Sequence, residues 1–252
     1  MNIITRNPFV VFALSIAILW IMARLGVYFR KNGPKIDVLE REDLGVILGA
    51  TLTLLGLLIG FSFSMAINRY DQRKNLEEAE ANAIATEYVR VDLLPDSDSA
   101  RARTLLRAYL DQRILFYSTR DPIQLQKIDA STTQLQTDLW MSVRAPALAQ
   151  PPGVTTLVLS GMNDVSNSQG YLQAAWLNRI PTAAWVLMLA ISLCGNLLLG
   201  YYASNVGTRT FLFLVLPLIL SISFFLIADI DSPRGGIIRV HPQNLITLSK
   251  SF

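Results

Sequence analysis

The sequence predicts an all-α integral membrane protein, with four transmembrane helices in two pairs and a helical cytoplasmic domain between the pairs. Three observations carry that prediction. Charged residues are only 16% of the 252-residue chain, against 52% hydrophobic ones, where a soluble domain carries about 25% charge. The mean hydropathy is +0.38. The apolar residues gather near the two ends in runs of about 20, the length that crosses a hydrocarbon core, while most charge lies between about 68 and 145.

The first run is Phe9 to Phe29. A signal peptide would have a shorter apolar core, roughly 7–15 residues, and a small-residue cleavage site. No such site follows, so the run reads as an uncleaved helix, with Arg24 snorkelling to the interface. The second run is Leu44 to Ile67, with Asp43 as its expected N-cap. It differs in kind from the first. Gly45, Gly49, Gly56 and Gly60 make two GxxxG pairs, and Thr51, Thr53, Ser62 and Ser64 add hydroxyls. Helices in lipid lack a hydrophobic force between them, and small residues let their backbones approach. Such residues serve packing within one chain in many proteins. Their density here marks this span as the central one, in an oligomer or along a pore.

The third run is Ala183 to Ser204, preceded by Pro181, and the fourth is Arg209 to about Ile230, with Pro217 inside it. The short connection Asn205 to Thr208 predicts a tight antiparallel hairpin. Asn196 is expected to face protein rather than lipid, and Cys194 to pack as a small apolar residue. Trp20, Tyr28, Trp185, Tyr201 and Tyr202 sit near span ends, where interfacial aromatic belts form. The domain boundaries that follow are 1–67, 68–180, 181–230 and 231–252.

Four spans put both termini and the central domain on one side. Near span ends that side carries Arg6, Arg69, Arg73, Lys74, Arg179, Arg234, Arg239 and Lys250. The other carries Arg30, Lys31, Lys35, Arg41 and Arg209, with Arg24 as a possible sixth. The excess favours a cytoplasmic central domain. The net charge of +3 is accounted for by these flanks, so nucleic acid is not an expected partner.

Beyond Asn68 no Pro or Gly intervenes until Pro95, and the composition is strongly helix-forming. Span two is therefore expected to continue out of the bilayer as one long helix, with Arg69, Arg73 and Lys74 at helical spacing from Glu77, Glu78 and Glu80. Asp96 to Ser99 is a cap signal for a helix over about 99–119, Asp121-Pro122 opens another to about Arg144, and Pro146 interrupts the chain. A last domain helix is expected over about 154–179.

Catalytic constellations are sparse. The single histidine, His241, and single cysteine, Cys194, leave no triad, dithiol or Cys-rich metal site. The residues point to no enzyme and no cofactor. Glu77, Glu78 and Glu80 read as a solvated or inter-subunit helix face rather than as acid/base groups. The stretch Asp229-Ile-Asp231-Ser-Pro233-Arg234-Gly235-Gly236 begins like a calcium loop but lacks the distal bidentate Glu; Val240 stands there. It reads as a structured turn at the membrane exit, built on Asp229, Asp231, Pro233 and Gly235, with no metal.

The stretches GFSFSMAINRYDQR (60–73), EEAEANAIATEYVRVDLLP (77–95) and DIDSPRGGIIRV (229–240) resemble the bestrophin-like domain family of bacterial membrane proteins, and the resemblance spans most of the chain. More distantly the chain is similar to bestrophins, pentameric anion channels with cation-selective bacterial relatives, whose second span lines the pore with three hydrophobic neck residues. Their G-F, seven residues, then Arg and an aromatic, matches Gly60-Phe61 and Arg69-Tyr70 without a gap. The resemblance implies a neck at Thr53, Leu57 and Phe61, small packing residues at Gly49, Gly56 and Gly60, and an inner vestibule at Asn68, Arg69 and Arg73. Two departures stand out. Thr53 is not the large apolar residue of the outer neck, and the acidic calcium clasp of animal bestrophins is missing, so calcium gating is not implied. The resulting expectation is a homo-oligomeric ion channel, pentameric by resemblance, with inorganic ions, lipid and copies of itself as partners. The alternative is a non-conducting scaffold or sensor whose helical domain binds a cytoplasmic partner.

Overall fold

The computed structural model describes residues 7–33, 37–203 and 212–252. Within them the chain forms helices α1 (Pro8–Asn32), α2 (Val38–Arg90), α3 (Asp96–Ser118), α4 (Pro122–Leu148), α5 (Pro152–Leu177), α6 (Thr182–Tyr202), α7 (Leu212–Asp231) and α8 (Gln243–Ser249), and no strand. Four stretches are long and apolar enough to cross a membrane, in α1, α2, α6 and α7. The expected hairpin at Asn205–Thr208, together with Arg209, lies outside the described residues.

The chain divides into two compact units, residues 1–69 with 179–239, and residues 70–178 with 240–252. In the first, α1 packs along α6 and α7. Its start is set by Asn7, whose side chain accepts from Phe9 N at 3.2 Å, followed by Pro8 in the first turn. The α1–α6 seam depends on two glycines. A Cβ on Gly26 would overlap the Leu197 carbonyl, and one on Gly200 would overlap the Ala23 carbonyl. Among the described residues of this unit, these two glycines are the ones at which helix backbones meet directly. Arg30 closes the same seam by donating Nη1 to the Tyr201 and Tyr202 carbonyls, at 3.0 and 2.7 Å, in the last turn of α6. Asn196 is fully buried, as expected, and donates Nδ2 to Ser192 O at 2.8 Å. Cys194 is exposed instead of packed.

Helix α2 is a single helix of 53 residues. It begins earlier than Asp43. Asp37 accepts from Leu39 N at 2.8 Å while the Glu40 carboxylate accepts from Asp37 N at 3.2 Å, a reciprocal capping box that starts the helix six residues ahead of the expected cap. No helix breaker follows, so the turns run on to Arg90 and end in the 3-10 turn Val91–Leu93.

The second unit is a helical bundle of α3, α4, α5, α8 and the 70–90 part of α2. Its core includes Ile84, Val91, Leu106, Tyr109, Leu110, Leu139, Val158, Met162, Leu172 and Leu245. Phe116, Tyr117 and Trp176 form an edge-to-face aromatic cluster at 5.0–5.7 Å. Two expectations need correction here. Pro146 does not end α4, which continues to Leu148. A proline in the last turn gives up one ladder bond only, and Ala149 N still bonds Ala145 O at 3.3 Å. And the segment beyond Val240 is part of this unit, with Leu245 of α8 fully buried.

Candidate functional site

The apolar part of α2 has two unlike faces. Leu48, Leu55, Ser62 and Ala66 are buried, and their spacing of seven, seven and four holds them on one side of the helix. Thr51 and Leu52 pack near Gly195 of α6, and Gly45 near the Tyr202 ring. The opposite side is bare. Gly49, Thr53, Gly56, Leu57, Gly60 and Phe61 are all exposed, Leu57 at 54% and Phe61 at 60%. Nothing lies within 4 Å of a Cβ built on Gly49, Gly56 or Gly60.

Thr53, Leu57 and Phe61 recur every four residues, so all three fall within about a quarter of the helix circumference at 3.6 residues per turn. The Thr53 hydroxyl donates to Gly49 O at 2.9 Å. Its one donor proton is thereby used within the helix, which lowers the polarity that Thr53 offers to anything on this face.

The three residues expected in an inner vestibule separate. Asn68 is exposed on the same side as Leu57 and Phe61. Arg69 Nη1 lies 3.6 Å from Asp231 Oδ1. Arg73 is 2% exposed, on the buried side. The exposed register of α2 continues instead through Ser64, Asn68, Asp71, Lys74, Asn75 and Glu78, two carboxylates and one lysine.

The turn after α7 is held by its own acidic, hydroxyl and glycine residues. Asp229 is 1% exposed and accepts from Ile237 N and Ile238 N at 2.7 and 2.8 Å. Ser232 Oγ accepts from Gly235 N at 3.2 Å, closing the Pro233–Gly235 turn. A Cβ on Gly236 would sit 2.5 Å from Asp229 O, so the chain can pass here only as glycine. Asp231 accepts from Ile180 N at 3.1 Å. Both carboxylates are spent on backbone amides and on Arg69, and no group of three metal-ligating side chains occurs among the described residues.

The acidic run on α2 departs most from expectation. Glu78 is exposed, but Glu77 and Glu80 are buried within the chain, neither solvated nor at a subunit boundary. Glu77 accepts from Asn244 N, Asn244 Nδ2 and Leu245 N at 3.0, 2.7 and 3.1 Å, so it serves as the N-terminal cap of α8 from a distant helix. Glu80 pairs with Arg113 Nε on α3, with both side chains at most 1% exposed. Burial pushes the Glu80 carboxyl up, against the pull of Arg113. Neither pairing is local, and so the i, i+4 pattern on α2 alone does not reveal them.

Fold and face together define a four-span helical membrane protein whose second span presents an uncovered strip of small, hydroxyl and apolar residues. The chain belongs to the bestrophin-like domain family, whose model matches residues 10–245. Its fold is similar to that of the bacterial bestrophin homolog from Klebsiella pneumoniae. The zinc-phased crystal structure of that protein superposes with TM-score 0.63 at 14% identity, covering 94% of this chain and 98% of the other. A tryptophan-to-alanine variant of it gives TM-score 0.63 at 14% identity, with coverages of 95% and 97%. A proline-to-alanine variant described as a membrane protein gives 0.64, 14%, 95% and 94%. No functionally curated protein matches the chain.

Proposed function

We propose that the chain is one subunit of a homo-oligomeric, pentameric ion channel of the bacterial cytoplasmic membrane, with termini and central domain cytoplasmic. The exposed face of α2 lines its central pore. Thr53, Leu57 and Phe61 form a narrow neck, Gly49, Gly56 and Gly60 let neighbouring copies of α2 come close, and Asn68 opens the inner vestibule.

One observation carries this reading: the α2 face that nothing among the described residues covers holds Gly49, Gly56 and Gly60. A lipid-facing surface gains nothing from glycine, whereas helix-to-helix approach in lipid depends on it. Apolar side chains in a ring control conduction by excluding water until the ring widens.

The charges on that face set the expected ion. Arg69 is paired with Asp231 and Arg73 is buried on the far side, while the register that continues from the neck exposes two carboxylates, Asp71 and Glu78, against one cation, Lys74. Rings of carboxylate repeated by each subunit favour cations. The reading is tested by counting subunits and determining axial symmetry for detergent-solubilised particles. A ring with α2 innermost is expected. A stable monomer contradicts it.

A further inference from the structure

In the bundle, α2 meets α5 at a carboxyl group that neither the pore reading nor the Glu77 and Glu80 pairings use. Glu87 is fully buried, and neither of its carboxyl oxygens has a hydrogen-bond partner. The room for it is made by Gly161 of α5, where a Cβ would overlap the Glu87 carboxyl and lie 2.6 Å from Arg90 Nη1. Two charged groups face it. Arg90, one turn along α2, draws it toward ionisation, and Asp164, one turn along α5, opposes that. These two are occupied with one another, Arg90 Nη1 lying 3.9 Å from Asp164 Oδ2.

We propose that Glu87 in the Gly161 notch is a proton-operated latch: the neutral acid lets α2 and α5 close on one another, and loss of its proton loosens that seam. The physical reason is the asymmetry between its two forms. A buried neutral carboxyl without hydrogen-bond partners is tolerated at modest cost, whereas a buried carboxylate whose nearby cation, Arg90, is shared with Asp164 is far costlier. Burial, the largest effect, pushes the Glu87 carboxyl up to about 8.

The sign follows. The folded chain holds this proton over a range in which the unfolded chain, ionising near the ordinary value of 4.5, has lost it. The contribution of Glu87 to bundle stability is therefore complete below the ordinary value, declines as pH rises, and is lost by the time pH passes about 8. Other buried groups titrate too, notably Glu80, so the diagnostic quantity is the difference between wild type and Glu87→Gln, which cannot ionise.

The test uses the full chain in detergent. The melting temperature of the wild type is expected to fall between pH 5.5 and 8.5 by clearly more than that of Glu87→Gln, with the variant the more stable of the two at the upper end. Infrared difference spectra of the wild type should show a carboxylic-acid C=O band at pH 7 that fades near pH 8 and is absent from Glu87→Gln. Parallel melting profiles, or a neutral-pH acid band unchanged in Glu87→Gln, would overturn the proposal. If Glu87→Gln does not fold, Glu80→Gln decides: an acid signal that fades near pH 8 and persists in Glu80→Gln supports the latch, and one that is lost with Glu80, or full ionisation of the chain's carboxyls by pH 6, ends it.

Discussion

Arg69, just past the apolar run of span two, and Asp231 at the end of α7 face one another at 3.6 Å, and the same Asp231 carboxylate accepts from Ile180 N just ahead of α6. One side chain therefore ties together the ends of three of the four spans. It also removes the charge of Arg69 from the exposed face of α2. Two carboxylates that resemble the start of a calcium loop in sequence are, in the fold, a set of backbone clamps.

Asp231→Ala leaves Arg69 and the Ile180 amide without their acceptor in a nearly water-free setting. The expected loss is about 2–4 kcal/mol, seen as a lower melting temperature of the solubilised protein. Asp231→Asn should recover part of it, because an amide oxygen still accepts from Ile180 N.

The glycines divide into two classes with opposite phenotypes. Gly200→Ala sets a methyl against the Ala23 carbonyl, so the α1–α6 seam must open at a cost of roughly 1–3 kcal/mol. A Cβ at Gly56 has nothing within 4 Å among the described residues, and the variant for this class is Gly56→Leu. It should leave the melting of the separated subunit unchanged and reduce the oligomeric fraction, measured by light scattering after size exclusion.

Those two classes show what is legible in the sequence. Four spans, the unbroken passage of α2 out of the membrane and the exit turn all rest on local signals: run length, absence of breakers, and the density of Asp, Pro and Gly. Which glycine touches another backbone depends on the partner helix, and Gly26 and Gly200 lie 174 positions apart. For the same reason the burial of Glu77, Glu80 and Glu87 is hidden. A carboxylate on a helix reads as solvated unless its partner is known, and here the partners are α8 amides, Arg113 of α3 and a notch in α5. Helix α8 itself, with only seven residues, is too short to register as a periodic pattern.

Breaking the Glu80–Arg113 pair on one side should be worse than breaking it on both. Arg113→Met leaves a buried carboxylate unpaired, at about 3–5 kcal/mol. The double variant Glu80→Leu with Arg113→Met restores much of that loss, as a thermal melt of the four members of the cycle would show.

If the exposed face of α2 lines a pore, the charges that follow Phe61 along that face set its selectivity. Replacing Asp71 by Asn and Glu78 by Gln together should move the reversal potential in a tenfold salt gradient toward zero, while assembly stays intact. A reversal potential already on the anion side in the wild type would assign the ion differently without touching the pore reading.

The most direct measurement of the central claim is the current carried by purified protein in planar lipid bilayers, compared between wild type and Phe61→Ala. If the exposed face of α2 lines the pore, the wild type conducts and Phe61→Ala, with the bulkiest neck side chain removed, conducts several-fold more while assembling normally. No current from either protein at any voltage or pH, or equal currents from both, would contradict it.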